Sequence, residues 1–156
     1  MDLFGFRWII QDKLAGSGQP GQYNDLSKDT NLLKKHEIDT IVNLRYSKLY
    51  YDELEPDFEL VNFPITDMNI PLPRKALELV QIMDEKINKG QKLLIHCKAG
   101  LGRTGLIAAS YLIYKGMDAE ESLRHIRTIN PSYVQNKLQE NFLMHFGQFV
   151  ASLNEE

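Results

Sequence analysis

Residues 92–105, KLLIHCKAGLGRTG, join an apolar run to a segment holding Gly100, Gly102 and Gly105, and this junction constrains the fold more than any other stretch of the chain. A short run of aliphatic residues bounded by glycines reads as a strand buried on both faces, the kind found in parallel sheets covered by helices. In such sheets ligands gather beyond the carboxyl ends of the strands. The glycine-rich segment is therefore delivered to the edge where binding and chemistry take place.

The rest of the chain supplies such a sheet with neighbours and covers. Residues 4–10, 40–44 and 58–65 are rich in β-branched and aromatic side chains and read as further strands. Tyr23, Leu26, Thr30 and Leu33 share one face of a predicted first helix. Ala76, Leu79, Val80, Met83 and Ile87 share a face of a second, which opens after Pro71 and Pro73 and stops at Gly90. Three more helices are predicted: from about Thr104 to Lys115, from an N-cap at Asp118 to about Thr128, and along Leu138, Phe142, His145, Phe146 and Phe149. The expected fold is α/β, with a central, mostly parallel sheet of four to five strands, helices on both faces and a C-terminal helical cluster. With 156 residues, 43% hydrophobic and 25% charged, residues 1–156 are expected to form one domain.

Totals exclude several classes of function. A formal charge of -3 and a pI near 5.8 lack the excess of Lys and Arg that non-specific nucleic-acid binding requires. No apolar run approaches a membrane span, and the N-terminus lacks a signal-peptide pattern, so a cytoplasmic protein with no membrane insertion is expected. Cys97 is the sole cysteine, which rules out an internal disulfide and a multi-cysteine metal site.

Two stretches spell the dinucleotide pattern G-x-G-x-x-G: GSGQPG at 16–21 and the glycines at 100–105. Neither has its acid in place. Asp39 precedes the apolar strand that should carry it at the far end, and Asp118, Glu120 and Glu121 open a helix. GSGQPG reads instead as a turn into the first helix.

Cys97 and Arg103 explain the second stretch better. A loop running from a strand into a helix N-terminus points backbone N–H groups at one spot, and the helix dipole adds positive potential there. A cysteine at the base of that cradle is favoured as thiolate, a competent nucleophile toward phosphorus. Arg103 presents a planar fork that grips two phosphoryl oxygens and stabilises transition-state charge. The glycines let the backbone close around an anion. Thr104 can place its hydroxyl near the sulfur, and His96 is suited to orienting the loop through hydrogen bonds.

HCKAGLGRTG resembles the signature loop of the cysteine-dependent protein tyrosine phosphatase superfamily, in particular its compact dual-specificity group. The Lys98 and Leu101 spelling is similar to the mitotic-exit dual-specificity phosphatases. The resemblance implies a phosphate-binding loop of Cys97, Lys98, Ala99, Gly100, Leu101, Gly102 and Arg103. It also implies a general acid on a separate loop, at Asp67 in FPITDMNIPLP, ahead of the rivals Asp52 and Asp57. A glutamine holding the hydrolytic water falls at Gln139, with Gln135 as the competitor, because Asn130, Pro131 and Ser132 replace the Arg-Pro-Gly of close relatives. Arg45 is implied at a strand end, and Arg45, Lys98 and Gln135 are candidate substrate contacts. The implied activity is hydrolysis of phosphotyrosine and phosphoserine or phosphothreonine in proteins, without metal or cofactor, by a monomer. The alternatives are an inositol phosphate or phosphoinositide substrate, and a non-catalytic phosphate-binding adaptor.

Overall fold

A computed structural model of the protein describes residues 3–155, so Met1, Asp2 and Glu156 of the expected 1–156 range lie outside the described residues. Among these the chain forms β1 (Arg7–Ile10), β2 (Leu14–Ser17), α1 (Leu26–Lys35), β3 (Thr40–Asn43), α2 (Tyr51–Leu54), β4 (Glu59–Asn62), α3 (Pro73–Asn88), β5 (Leu93–His96), α4 (Gly102–Tyr114), α5 (Ala119–Ile129) and α6 (Lys137–Asn154). The strands make one sheet in the order β1-β2-β5-β3-β4. Only the β1–β2 hairpin is antiparallel; β2, β5, β3 and β4 run parallel. The expected mixed α/β architecture is what the chain adopts.

Strand alternation divides the apolar residues between two cores. In β5, Leu93 and Ile95 join the larger core while Leu94 joins the smaller; in β3, Val42 joins the larger and Ile41 the smaller. The larger core is closed by α3, α4, α5 and α6, with Leu79, Met83, Ile107, Ile126 and Phe146 buried in it. The smaller is closed by Leu33 of α1 and Leu54 of α2. Helix α4 is apolar nearly all round, as GLIAASYLIY requires of a helix enclosed by others, and it packs on β5, β2, α3, α5 and α6.

The last residue of each parallel strand is polar. Ser17 and Asn43 both pair with His96, and Asn43 pairs in turn with Asn62, so the sheet ends in a level polar row. Cys97 is the next residue beyond its centre.

Four expectations need correction. Residues 4–6 are not strand, because Gly5 takes φ +66 and turns the chain before β1. Strand β2 occupies Leu14–Ser17, overlapping the stretch read as a turn from residue 16. Helix α1 opens after Asp25, leaving Tyr23 outside it and exposed, while Asp29 turns inward to accept hydrogen bonds from Gly21 N at 2.9 Å and Asn24 Nδ2 at 3.1 Å. The inward face of α6 is Gln139, Phe142, Leu143 and Phe146, whereas Leu138 and His145 point to solvent. In the second helix, Ala76, Leu79, Val80, Met83 and Ile87 are all buried as expected. Asp118 caps α5 by accepting from Glu121 N at 3.1 Å.

Candidate active site

The segment after β5 closes on itself because of what stands behind it. Gly100 has φ +77, and a Cβ there would lie 2.5 Å from both Gly18 N and Ser17 C, so only glycine lets the loop sit against the end of β2. Gln19 N donates to Lys98 O at 3.0 Å across the same seam. GSGQPG is thus a buttress for the loop after β5. Helix α4 starts at Gly102, and its first intrahelical bond runs from Gly105 N to Leu101 O at 2.9 Å. The N–H groups ahead of it have no intrahelical acceptor and are available to an anion.

A cleft of about 190 Å³ opens over this loop, lined by Cys97, Lys98, Ala99, Leu101, Gly102 and Arg103 on one side and by Asp67, Met68 and Gln135 on the other. Cys97 is buried at its base, 3% exposed, and Thr104 Oγ1 donates to its Sγ at 3.1 Å. Arg103 is buried as well. Its Nη1 donates to Ile65 O at 3.0 Å and its Nη2 lies 3.4 Å from Asp67 Oδ1, while its Nε is buried with no hydrogen-bond partner. A buried guanidinium N–H without an acceptor is costly, and a phosphoryl oxygen in the cleft would satisfy it in the two-pronged way that arginine provides.

His96 is 1% exposed, and its Nδ1–H donates to the carbonyl of Cys97 at 3.2 Å. Burial pushes its pKa down to about 4; the hydrogen bond opposes that shift, and the charges of Arg45 and Arg103 reinforce it. The ring is therefore neutral near pH 7 and braces the first peptide of the loop.

The structure separates the two glutamines. Gln135 is exposed and lines the cleft. Gln139 is fully buried behind it, accepting from Gln135 N at 2.9 Å and donating through Nε2 to Asn69 O at 3.3 Å. Both reach Gly102, where a Cβ would lie 2.6 Å from Gln135 Oε1 and 3.1 Å from Gln139 Oε1. Arg45 does not line the cleft; its Nη1 donates to Gln19 Oε1 at 2.9 Å, which ties the end of β3 to the buttress. Asp52 lies in α2 and Asp57 pairs with Lys34 at 3.0 Å, both outside the cleft, which leaves Asp67 as the aspartate within it.

Sequence reasoning missed Gln19 and Arg127. Arg127 donates from Nε to Tyr133 O at 3.0 Å and from Nη2 to Val134 O at 2.8 Å, which holds the backbone just before Gln135. No local pattern announces either residue, since each acts on a segment distant from it in sequence or on a turn of irregular backbone.

Residues 15–117 match the model of a family described as "Polymorphic toxin system, DSP-PTPase phosphatase". The chain is 28% identical over 151 residues to the tyrosine-protein phosphatase CDC14 of Candida albicans, a match covering 95% of this chain and 27% of that protein. It is 27% identical over 134 residues to an Arabidopsis thaliana protein named phosphatidylinositol 3,4,5-trisphosphate 3-phosphatase and protein-tyrosine-phosphatase PTEN1, covering 74% of this chain and 32% of that one. The chain thus spans about a third or less of the length of these two relatives. The crystal structure of Tk-PTP in its active form superposes with a TM-score of 0.82 at 26% identity, over 92% of this chain and 97% of that one. With the family's model matched from the second strand to beyond the fourth helix, the chain belongs to the DSP-PTPase family, the dual-specificity group of the cysteine-dependent protein tyrosine phosphatases.

Proposed function

We propose that residues 1–156 act as one dual-specificity phosphatase domain, removing phosphate from phosphotyrosine and from phosphoserine or phosphothreonine in proteins through a cysteinyl-phosphate intermediate. The observation that carries this reading is the convergence of Cys97, Arg103 and Asp67 on one cleft, with a buried guanidinium N–H left for an acceptor.

In the first step the Cys97 thiolate attacks phosphorus, and the bond from phosphorus to the substrate oxygen breaks. Asp67 gives that oxygen its proton. The loop N–H groups and the Nε and Nη2 of Arg103 carry the charge on the non-bridging oxygens. In the second step a water held at Gln135, with Gln139 supporting it from behind, attacks phosphorus while Asp67 takes the water's proton. The sulfur–phosphorus bond breaks, phosphate leaves and the thiolate returns. Thr104, donating to Sγ, stabilises the sulfur as it departs.

The small cleft, about 190 Å³, and a chain of 156 residues with little room for an added pocket-deepening loop support phosphoproteins that include phosphoserine and phosphothreonine. Exposed Lys98 at its mouth supports the second reading, an inositol phosphate or phosphoinositide. Among the described residues no helix is long and apolar enough to cross a membrane, and a cytoplasmic monomer is the setting we propose. The test is hydrolysis of an aryl phosphate by wild type, Cys97→Ser and Asp67→Ala, followed by phosphopeptides against inositol phosphates. Equal rates in all three proteins would refute this mechanism, and no turnover by any of them would favour a phosphate-binding adaptor. A strong preference for inositol phosphates would overturn the substrate assignment.

A further inference from the structure

The loop that carries Asp67 has little to hold it. Residues 66–69 are all exposed, and within the loop the turn is closed by Asn69 N donating to Thr66 O at 3.0 Å. At its centre Met68 takes φ +64, a left-handed conformation that a side-chain-bearing residue keeps only where its surroundings impose it. Arg103 holds Ile65 O at the loop's entry and lies 3.4 Å from Asp67 Oδ1, and the two hydrogen bonds that hold its far half come from the start of α6, almost seventy residues on in sequence. Asn136 Nδ2 donates to Met68 O at 2.9 Å, and Gln139 Nε2 donates to Asn69 O at 3.3 Å.

Asn136 uses each end of its amide differently. Its Oδ1 caps α6 by accepting from Gln139 N at 2.8 Å, and its Nδ2 reaches across to the carbonyl of the left-handed residue. The far side of this anchor is itself fixed. Val134, also left-handed at φ +65, is held by Arg127 at its carbonyl and by Leu101 O at its N–H.

We propose that Asn136 is a positioning residue that latches the acid-bearing loop to the N-terminus of α6, so that Asp67 is held over the cleft and set against the same segment that carries Gln135. The inference rests on the reading of Asp67 as proton donor given above. It makes one unit of the two loops that serve the two steps, anchored to the N-terminal end of α4 through Leu101 O and to α5 through Arg127.

The cap and the latch can be separated, because serine and aspartate both cap helices while lacking the amide donor. In Asn136→Ser, and in Asn136→Asp as the isosteric second variant, α6 stays capped and the melting temperature stays near that of wild type. Hydrogen exchange rises in residues 66–70 and not in α6. The kinetic signature depends on the leaving group, since a poor one needs a proton and a good one does not. With phenyl phosphate kcat falls about tenfold with KM unchanged, while with nitrophenyl phosphate it falls less than about threefold. An equal fall with both substrates, or exchange at 66–70 unchanged, would overturn the latch. Asp67→Asn measured beside them distinguishes the two levels. If it too lacks leaving-group dependence, the assignment of Asp67 fails and the latch fails with it; if it shows that dependence and the Asn136 variants do not, the latch alone is wrong.

Discussion

His96 shows how much one residue of the sheet contributes to a site that it does not enter. Its folded pKa of about 4 lies below the ordinary histidine value, so the unfolded chain takes up a proton near pH 6.5 that the folded protein refuses until about pH 4. Above pH 6.5 the ring is neutral in both states and contributes no pH dependence. Between pH 6.5 and 4 stability falls with pH, by about 3 kcal/mol over the full window. Urea unfolding of wild type and His96→Asn at pH 7.5 and 5 checks this; the variant should lose most of that slope. Lys at 103 keeps the charge but cannot hold Ile65 O and two phosphoryl oxygens at once, so aryl phosphate turnover should fall roughly 10²- to 10³-fold. That Cys97, Arg103 and Thr104 lie together was legible because one short loop and the first turn of α4 carry all three. Gln139 was legible as a residue of the site but not as a buried one, since the direction of its side chain depends on Asn69, seventy positions away.

Among elements, α4 tests whether a glycine is kept for its backbone or for its surroundings. Replacing a mid-helix glycine by alanine usually stabilises, by about 1 kcal/mol. Gly105 should reverse that sign, because its Cβ would lie 2.7 Å from Tyr133 Cβ and 2.8 Å from Val134 N, where a held turn cannot yield. Gly105→Ala is expected to cost about 1–3 kcal/mol in urea unfolding. Elements with a strong period or a clear stop were readable: α3 between Pro73 and Gly90, and α5 from its Asp118 cap. Strand β2 was not, because LAGS carries no β-branched residue and gains its pairing from β5. The inward face of α6 was misjudged by a residue because Gln139, a polar side chain, takes a buried slot that hydrophobicity would give to Leu138.

The whole molecule couples the cleft to global stability, because the loop, α4 and the larger core are continuous through Cys97. An anion that satisfies the orphan Nε of Arg103 binds the folded chain and not the unfolded one. At a hundred times its Kd, vanadate should add about 2.7 kcal/mol, which for a chain of this size raises Tm by about 5–10 °C. The rise should be lost in Arg103→Ala, and a full rise in that variant would place the anion elsewhere. The mostly parallel sheet and its cover of helices on both faces followed from strand–helix alternation. The meeting of the loops on Asp67 and Gln135 did not, because it depends on contacts between segments that no local pattern links.

The burial of Cys97 at the floor of the cleft has a practical corollary, since the chain has no other thiol. A thiol-specific reagent labels Cys97 alone, so the moles of label bound per mole of protein count accessible sites directly. Protection of that label by phosphate reports occupancy without any turnover. The same solitude governs oxidation: with no second cysteine to form an internal disulfide, a sulfenic acid at this position can be shielded by condensing with the neighbouring backbone nitrogen. Recovery of activity with thiols after mild peroxide is the outcome that follows, and the label count should return in step with it.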